Sequence, residues 1–476
     1  MNETISRRDV LRSGALAAAA PLGQAPQPKN KPNIVVIISD QFRADCIGAA
    51  GSNPMGLTPN LDKMARRGII FQSAMCSQPV CAPTRASIFT GQYPEKHGVW
   101  KNGIPLRENA TTIATVLREA GYSANYIGKW HLGKAGPGPV PGHEHAGPVP
   151  APERGGFLDL WEAANELEWT SHAYEGDLYD TDNRVIPFSG TYRADFLTER
   201  ARRFLQNARA PFFLVLSYLE VHHQNDIDQF VPPKEYKGKF QNPFVPGDLR
   251  PLPGSWQEQL PDYYGCVKSM DDQVGAVNQM LAEHGFADNT IVVFLSDHGC
   301  HFKTRNTEYK RSPHESSIHV PLIIQGPPFD RGLMIPELVS HVDLAPTLLQ
   351  AAGLGVPASM QGHSFLPLLD RKTEGWRNEV YLTMSEFMTG RILRTPEWTY
   401  AVAAPKDAGW KSRPAADEYF EYLMYNLPAD PFQHVNLAGR SETRDVAKYL
   451  HERLLARIEE ASGVRAKIGT DLFPYS

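Results

Sequence analysis

The stretch Asn33-Ile-Val-Val-Ile-Ile38-Ser39-Asp40-Gln41 is a run of branched apolar residues that ends abruptly on two polar ones. It shows no polar alternation and is shorter than a typical helix, the pattern of a strand buried on both faces. A near copy recurs far downstream as Thr290-Ile-Val-Val-Phe-Leu295-Ser296-Asp297-His298. Packing alone gives no reason for two such strands to run straight into Ser-Asp and a second ligand-type side chain. In open α/β sheets, ligand-holding groups gather beyond the carboxyl ends of parallel strands. The two pairs are therefore expected on the same edge of one sheet.

Outward from these strands the chain alternates. Residues 61–67 read as a helix stopped by Gly68, and 111–119 as another closed by Gly121. A strand over 122–127 leads into Gly128-Lys129-Trp130-His131-Leu-Gly133. A helix over 192–203 precedes a buried strand over 211–217, whose carboxyl end carries Glu220-Val-His222-His223-Gln224-Asn225-Asp226. A helix over 263–283, a strand over 321–325 and a helix over 342–352 continue the pattern. Around Trp376 it gives way to aromatic, antiparallel-looking segments. A helix over 443–460 then carries Val446, Leu450, Leu454 and Ile458 at helical spacing. The pattern predicts an α/β protein: a large doubly wound, mixed but mostly parallel sheet domain over 30–375, and a smaller C-terminal α+β subdomain over 376–476 with an antiparallel sheet and a helix. Residues 135–156, rich in Pro and Gly, read as a surface loop with His143 and His145 facing solvent.

The 476 residues exceed one ordinary core. An apolar content of 42% describes a water-soluble globular chain, and a formal charge of −5 gives no reason to expect nucleic acid. The N-terminal Ser6-Arg7-Arg8-Asp-Val-Leu11, a weakly apolar run and Gly23-Gln-Ala25 resemble a twin-arginine export signal over 1–25. That implies a periplasmic or secreted protein. The apolar run is too short for a permanent membrane anchor.

Cys81-Ala-Pro83-Thr-Arg85-Ala-Ser87-Ile-Phe-Thr90-Gly91 offers a thiol, a rigid proline and an arginine at fixed offsets. Pro83 suits a first helical turn, which would place Cys81 at a helix N-terminus that favours an anion. The stretch resembles the formylglycine signature of the type I sulfatases, within the alkaline phosphatase superfamily. The resemblance implies that Cys81 is oxidised to formylglycine (3-oxoalanine) by a formylglycine-generating enzyme during maturation. The other four cysteines, Cys46, Cys76, Cys266 and Cys300, lack zinc-site spacing. They are read either as two disulfides with three pairings or as four buried thiols.

Asp40, Gln41, Asp297 and His298, with Cys81, form a candidate site for a divalent cation, since two carboxylates supply the charge a hard cation needs. By the resemblance this is Ca2+; the imidazole leaves Mn2+ open, and Mg2+ is a further alternative. The resemblance also assigns Lys129 and His131 to the nucleophile and the sulfate, His222 to the leaving group, and Lys310 to sulfate and leaving oxygen. Arg85 adds a fixed cation. The implied chemistry is attack on sulfur by one hydroxyl of the formylglycine hydrate, with His222 as an imidazolium acid and His131 aiding release of sulfate. Candidate substrate residues are Trp169, His172, Tyr174, Glu175, Glu220, His223, Gln224, Asn225, Asp226, His301 and Arg305. Aromatics among hydrogen-bonding groups suit a sulfated carbohydrate, and Arg305 a carboxylate or second sulfate. Two other readings stand beside this one. The Asp-Gln and Asp-His pairs also resemble phosphonate monoester and phosphodiester hydrolases of the superfamily, and a non-catalytic glycan-binding homologue would share the fold.

Overall fold

Strand β1 (Asn33–Ser39) is buried along its whole length. Successive side chains leave a strand on opposite faces, so Ile34, Val36 and Ile38 enter one core and Val35 and Ile37 the other. Each such residue, fully buried, contributes roughly 1.5–3 kcal/mol. The two cores make a three-layer molecule. The computed structural model describes residues 31–134, 142–143, 145–407 and 409–473. The export-signal reading of 1–25 and part of the loop at 135–156 (135–141 and 144) lie outside the described residues.

One face of the sheet is covered by helix α1 (Cys81–Thr90), which contributes Ala82, Ala86, Ile88 and Phe89 to the first core. Strands β2 (Ser123–Lys129) and β3 (Trp161–Ala164) follow. Helix α2 (Arg193–Asn207), strand β4 (Phe212–Ser217) and helix α3 (Trp256–Glu283) come next, and both helices cover the opposite face. Strands β5 (Thr290–Ser296) and β6 (Leu322–Gln325) complete the centre, in the order β6-β5-β1-β4-β2-β3. From β5 to β3 every neighbour is parallel, while β6 is antiparallel to β5. Shorter strands extend this mixed sheet to eleven among the described residues.

Helix α3 starts before the expected 263, with Pro261 inside it. Proline ordinarily ends a helix; here Leu260, Tyr263 and Tyr264 are buried in the second core, and packing overrides the local preference.

The second sheet runs β7 (Val380–Met384), β8 (Gly390–Arg394), β9 (Trp398–Ala403), β10 (Glu418–Asn426), antiparallel throughout, with β11 (Lys467–Leu472) added in parallel at the edge. Helix α4 (Arg444–Ser462) packs Leu450, Leu454 and Ile458 on one face. From the other face Val380, Leu382, Ile392 and Ala401 join the first core. All five cysteines are free and buried, which settles that alternative in favour of thiols. No helix among the described residues is long and apolar enough to cross a membrane.

Candidate active site

Ser39 and Ser296 are register partners on adjacent parallel strands, so Asp40 and Asp297 leave the sheet side by side. Each turns its two oxygens to different tasks. Oδ2 of Asp40 accepts from Arg85 Nη2 at 3.2 Å, and Oδ2 of Asp297 from Arg85 Nε at 3.1 Å. Oδ1 of Asp40 lies 3.4 Å from His298 Nε2 and 3.9 Å from Cys81 Sγ, and Oδ1 of Asp297 lies 3.6 Å from the same imidazole nitrogen. Arg85 also donates to Ser217 Oγ and the Lys129 carbonyl. Its planar fork thus ties α1 to the ends of four strands, a task a point charge could not perform.

Cys81 begins α1, so its thiol lies at the helix N-terminus. Lys129 reaches it from the end of β2. There Gly128 has φ +109°, and a Cβ would meet the Ser217 carbonyl oxygen at 2.0 Å. Only glycine lets β2 and β4 approach so closely. The Lys129 ammonium sits 2.8 Å from Asp40 Oδ2, 2.9 Å from Glu168 Oε1 and 3.9 Å from Cys81 Sγ. The Lys310 ammonium has three partners: Cys81 Sγ at 2.9 Å, His298 Nε2 at 2.9 Å and His222 Nε2 at 3.3 Å. His298 Nδ1 donates to the Gly299 carbonyl and His222 Nδ1 to the His223 carbonyl, so both Nε2 atoms keep a lone pair toward the cleft.

Burial and Asp40 push the Cys81 thiol up, but the cationic surroundings, led by the Lys129 and Lys310 ammonium groups, outweigh them and leave it well below its ordinary value. Asp40 is likewise held low against burial, chiefly by Lys129. Asp297 goes the other way, raised by burial and by Asp40. Burial and Lys129 lower His131, yet Cys81 and Glu168 leave it raised. His222 departs from the sequence-based expectation of an imidazolium. Burial, then His223 and Lys310, outweigh Asp40 and push it well down, so it is neutral in the free cleft.

Asp40, Cys81, Asp297 and His298 bring their ligand atoms within 4.8 Å of one another, all buried. Two carboxylate oxygens and an imidazole lone pair converging on one point fit a divalent cation. Gln41, expected in the same set, accepts from His223 Nδ1 at 3.3 Å and turns its amide nitrogen to Cys300 Sγ; its backbone N–H donates to Asp297 Oδ1.

A cleft of about 350 Å³ opens over Cys81, His131, His222 and Lys310. Of the expected substrate residues, Trp169, His223 and Asn225 line it. The others do not, and the structure gives each a different task. Tyr174 accepts from the Lys234 backbone, and Glu220 pairs with Arg193 in the interior. Gln224 donates to the Glu168 carbonyl, and buried His301 donates to that of Lys310. Arg305 donates to the Phe432 and Gln433 carbonyls, tying down the C-terminal region. His172 and Asp226 form an exposed pair, and Glu175 is exposed. His143, expected in solvent, is half-buried and stacks on Trp169 with ring centres 3.5 Å apart; His145 is exposed. Unforeseen lining residues include Asn102, Glu168, Lys303, Tyr309 and Arg311. Lys303 and Tyr309 lie in the short segment joining His298 to Lys310 and Arg311 directly follows it, a signal the sequence did carry. Glu168 had none, because only the fold brings it to Lys129.

The sulfatase family profile matches residues 32–354. The chain belongs to the sulfatase family. A second profile, the C-terminal part of N-sulphoglucosamine sulphohydrolase, matches 307–460. An ulvan-active sulfatase of Formosa agariphila is 29% identical over 90% of this chain and 81% of its own. An arylsulfatase of Clostridium perfringens is 29% identical over 90% and 95%. Among solved structures, a Bacteroides fragilis protein described as a sulfatase superposes with a TM-score of 0.75 at 26% identity, covering 92% and 97% of the two chains. This sulfatase thus matches relatives named for a polysaccharide and for aryl esters, and its cleft wall bears on the choice.

Proposed function

We propose that this sulfatase hydrolyses sulfate monoesters of a carbohydrate, using formylglycine made from Cys81 and a divalent cation held by Asp40, Asp297, His298 and residue 81. The observation that carries the reading is the ring of Lys129, His131, His222 and Lys310 around Cys81. A sulfate ester is anionic and repels nucleophiles, so a site that hydrolyses it must gather cations in a dry cleft. Ca2+ suits the oxygen donors, with Mn2+ or Mg2+ as alternatives; when bound, the cation polarises the ester and lowers the pKa of a hydroxyl at residue 81. Gln41 holds the Asp297 carboxylate that would face it.

The chain's own groups then have separate tasks. Lys310 spans Cys81 and His222, which suits it to hold the ester oxygens between nucleophile and leaving group. Lys129 supplies a second positive charge at residue 81, and Arg85 fixes the two aspartates. His222, neutral in the free cleft, gains a proton more readily once the anionic ester lies against it, and can pass that proton to the departing alcohol oxygen. His131, raised and unpartnered at Nδ1, is suited to take the proton from the second hydroxyl of a hydrated residue 81.

The carbohydrate reading draws support from Trp169 beside polar groups in the wall and from the ulvan-active relative. The phosphonate and phosphodiester reading rests on Gln41 and His298; the non-catalytic one requires an unconverted Cys81. We also read residues 1–25 as a twin-arginine signal directing the folded, matured chain to the periplasm or outside. The mass of the peptide bearing residue 81, from protein made in its native compartment, tests the core. Conversion removes roughly 18 Da and creates a carbonyl that can be trapped. A quantitative thiol sinks the mechanism. With conversion established, faster turnover of phosphodiesters than of sulfate esters would favour the rival chemistry.

A further inference from the structure

The cleft wall contains two hydrogen-bond acceptors with nothing to accept. Glu168 is more than nine-tenths buried; its Oε1 takes the Lys129 ammonium, while Oε2 has no partner. Asn225 Oδ1 is also buried and unpartnered. Both residues line the same cleft as Cys81. Their two segments are tied together, because Gln224, next to Asn225 in the chain, donates its side-chain amide to the Glu168 main-chain carbonyl at 2.8 Å. Trp169 lies next to them in the lining, with the His143 ring stacked against it.

A buried acceptor left unpaired is costly, so a bound ligand should bring donors to these two atoms. The oxygens of a sulfate ester cannot do so, since they are themselves acceptors and belong with Lys310 and His222. The donors must come from the alcohol that carries the sulfate. A sugar offers hydroxyl or amine groups on its edge and C–H groups on its face, matching two acceptors beside an indole. An aryl sulfate, its phenolic hydroxyl esterified, offers a face and no donor. We propose that Glu168 and Asn225 form an acceptor pair that reads hydroxyl or amine groups of the sulfated sugar unit and so favours sugar sulfates over aryl sulfates. The inference rests on the carbohydrate-sulfatase reading above. Glu168 has a second task, holding Lys129, and is to that extent a positioning residue.

The test is the ratio of kcat/KM for a monosaccharide sulfate to that for 4-nitrophenyl sulfate, in metal-loaded, formylglycine-bearing enzyme. Asn225→Leu should lower the ratio by about tenfold or more, and Asn225→Asp, which keeps the acceptor, should hold it. Glu168→Gln should lower the ratio and slow both substrates, because Lys129 loses its charged partner. The wild-type enzyme supplies a check that needs no variant: removing the sugar hydroxyls one at a time should identify at least one whose loss costs about tenfold. A ratio unmoved by Asn225→Leu, together with deoxy sugars turned over as well as their parents, overturns the acceptor pair while sugar-sulfatase activity stands. If the wild type turns over phosphodiesters and neither sulfate, the parent reading fails first and takes the pair with it.

Discussion

The floor and the wall of the cleft are built on opposite principles. On the floor, Asp40, Arg85, Lys129, Asp297, His298 and Lys310 are buried with no unpartnered buried side-chain atom. In the wall, Glu168 and Asn225 each keep one buried acceptor open. Charges buried without water are tolerable only when paired and fully hydrogen-bonded. The floor meets that condition internally and is thereby preorganised, while the wall leaves its last hydrogen bonds to a ligand.

Replacing Cys81 by Ala strikes the floor where the proposed chemistry is centred. It should lower kcat by more than about a thousandfold, while calorimetry still detects binding of a sulfated sugar. Loss of binding as well would mean that residue 81 also builds the wall. Arg85→Lys keeps the charge and removes the fork. Because it strands two buried carboxylates, it should cost about 3–5 kcal/mol in denaturant unfolding. A near-neutral result would break the claim that the floor is a single interlocked unit.

Chelation should abolish turnover reversibly and lower the melting temperature. A cation present at a hundred times its Kd contributes about 2.7 kcal/mol of stability. Recovery with Ca2+ but not Mn2+, or the reverse, would sharpen the identity of the ion.

Two histidines behind these regions report them separately. His97 supports α1, accepting at Nδ1 from the Val99 N–H and donating to Ser87 Oγ; His301 backs Lys310. Burial lowers both to about 3. Folded pKa values below the unfolded 6.5 mean that both forms are neutral above pH 6.5, where this stability is fully present. As pH falls toward 3 only the unfolded chain takes up these protons, so stability should drop, by about 2 kcal/mol per histidine at pH 5. A flat profile of unfolding midpoint between pH 7 and 5 would contradict this, and His97→Gln should flatten it in part.

The smallest effect is expected at Arg305, which the sequence suggests as an anion reader and the structure ties to two carbonyls. Arg305→Ala should change kcat/KM on any substrate by less than about threefold and cost about 1 kcal/mol of stability. A selective rise in KM for a doubly anionic sugar would return Arg305 to the wall.

Much of the floor was legible because it is local. Asp40 and Asp297 follow apolar runs whose burial pattern marks two central strands ending on one edge of a sheet, and Cys81, Pro83 and Arg85 sit at fixed offsets along one helix. Lys129 follows a strand, and Gly128 is needed where two backbones nearly touch. Those relations depend on strand period, helix turn and backbone sterics, which are properties of short segments. The wall was not legible in the same way. Glu220, Gln224, His301 and Arg305 stand close in sequence to the site, yet face inward or toward another lobe. Glu168 reaches Lys129 only because β3 pairs with β2. Which of many polar loop residues face a ligand depends on how loops cross the sheet edge, and nearly equal local preferences do not decide it. The sequence by itself determined the fold class and the edge of the sheet at which Asp40, Cys81, Lys129, Asp297, His298 and Lys310 come together. Only the tertiary structure decided the lowered proton affinity of His222, the freedom of the cysteines and which side chains have hydrogen bonds to spare, because each of those is set by burial and by neighbours distant along the chain.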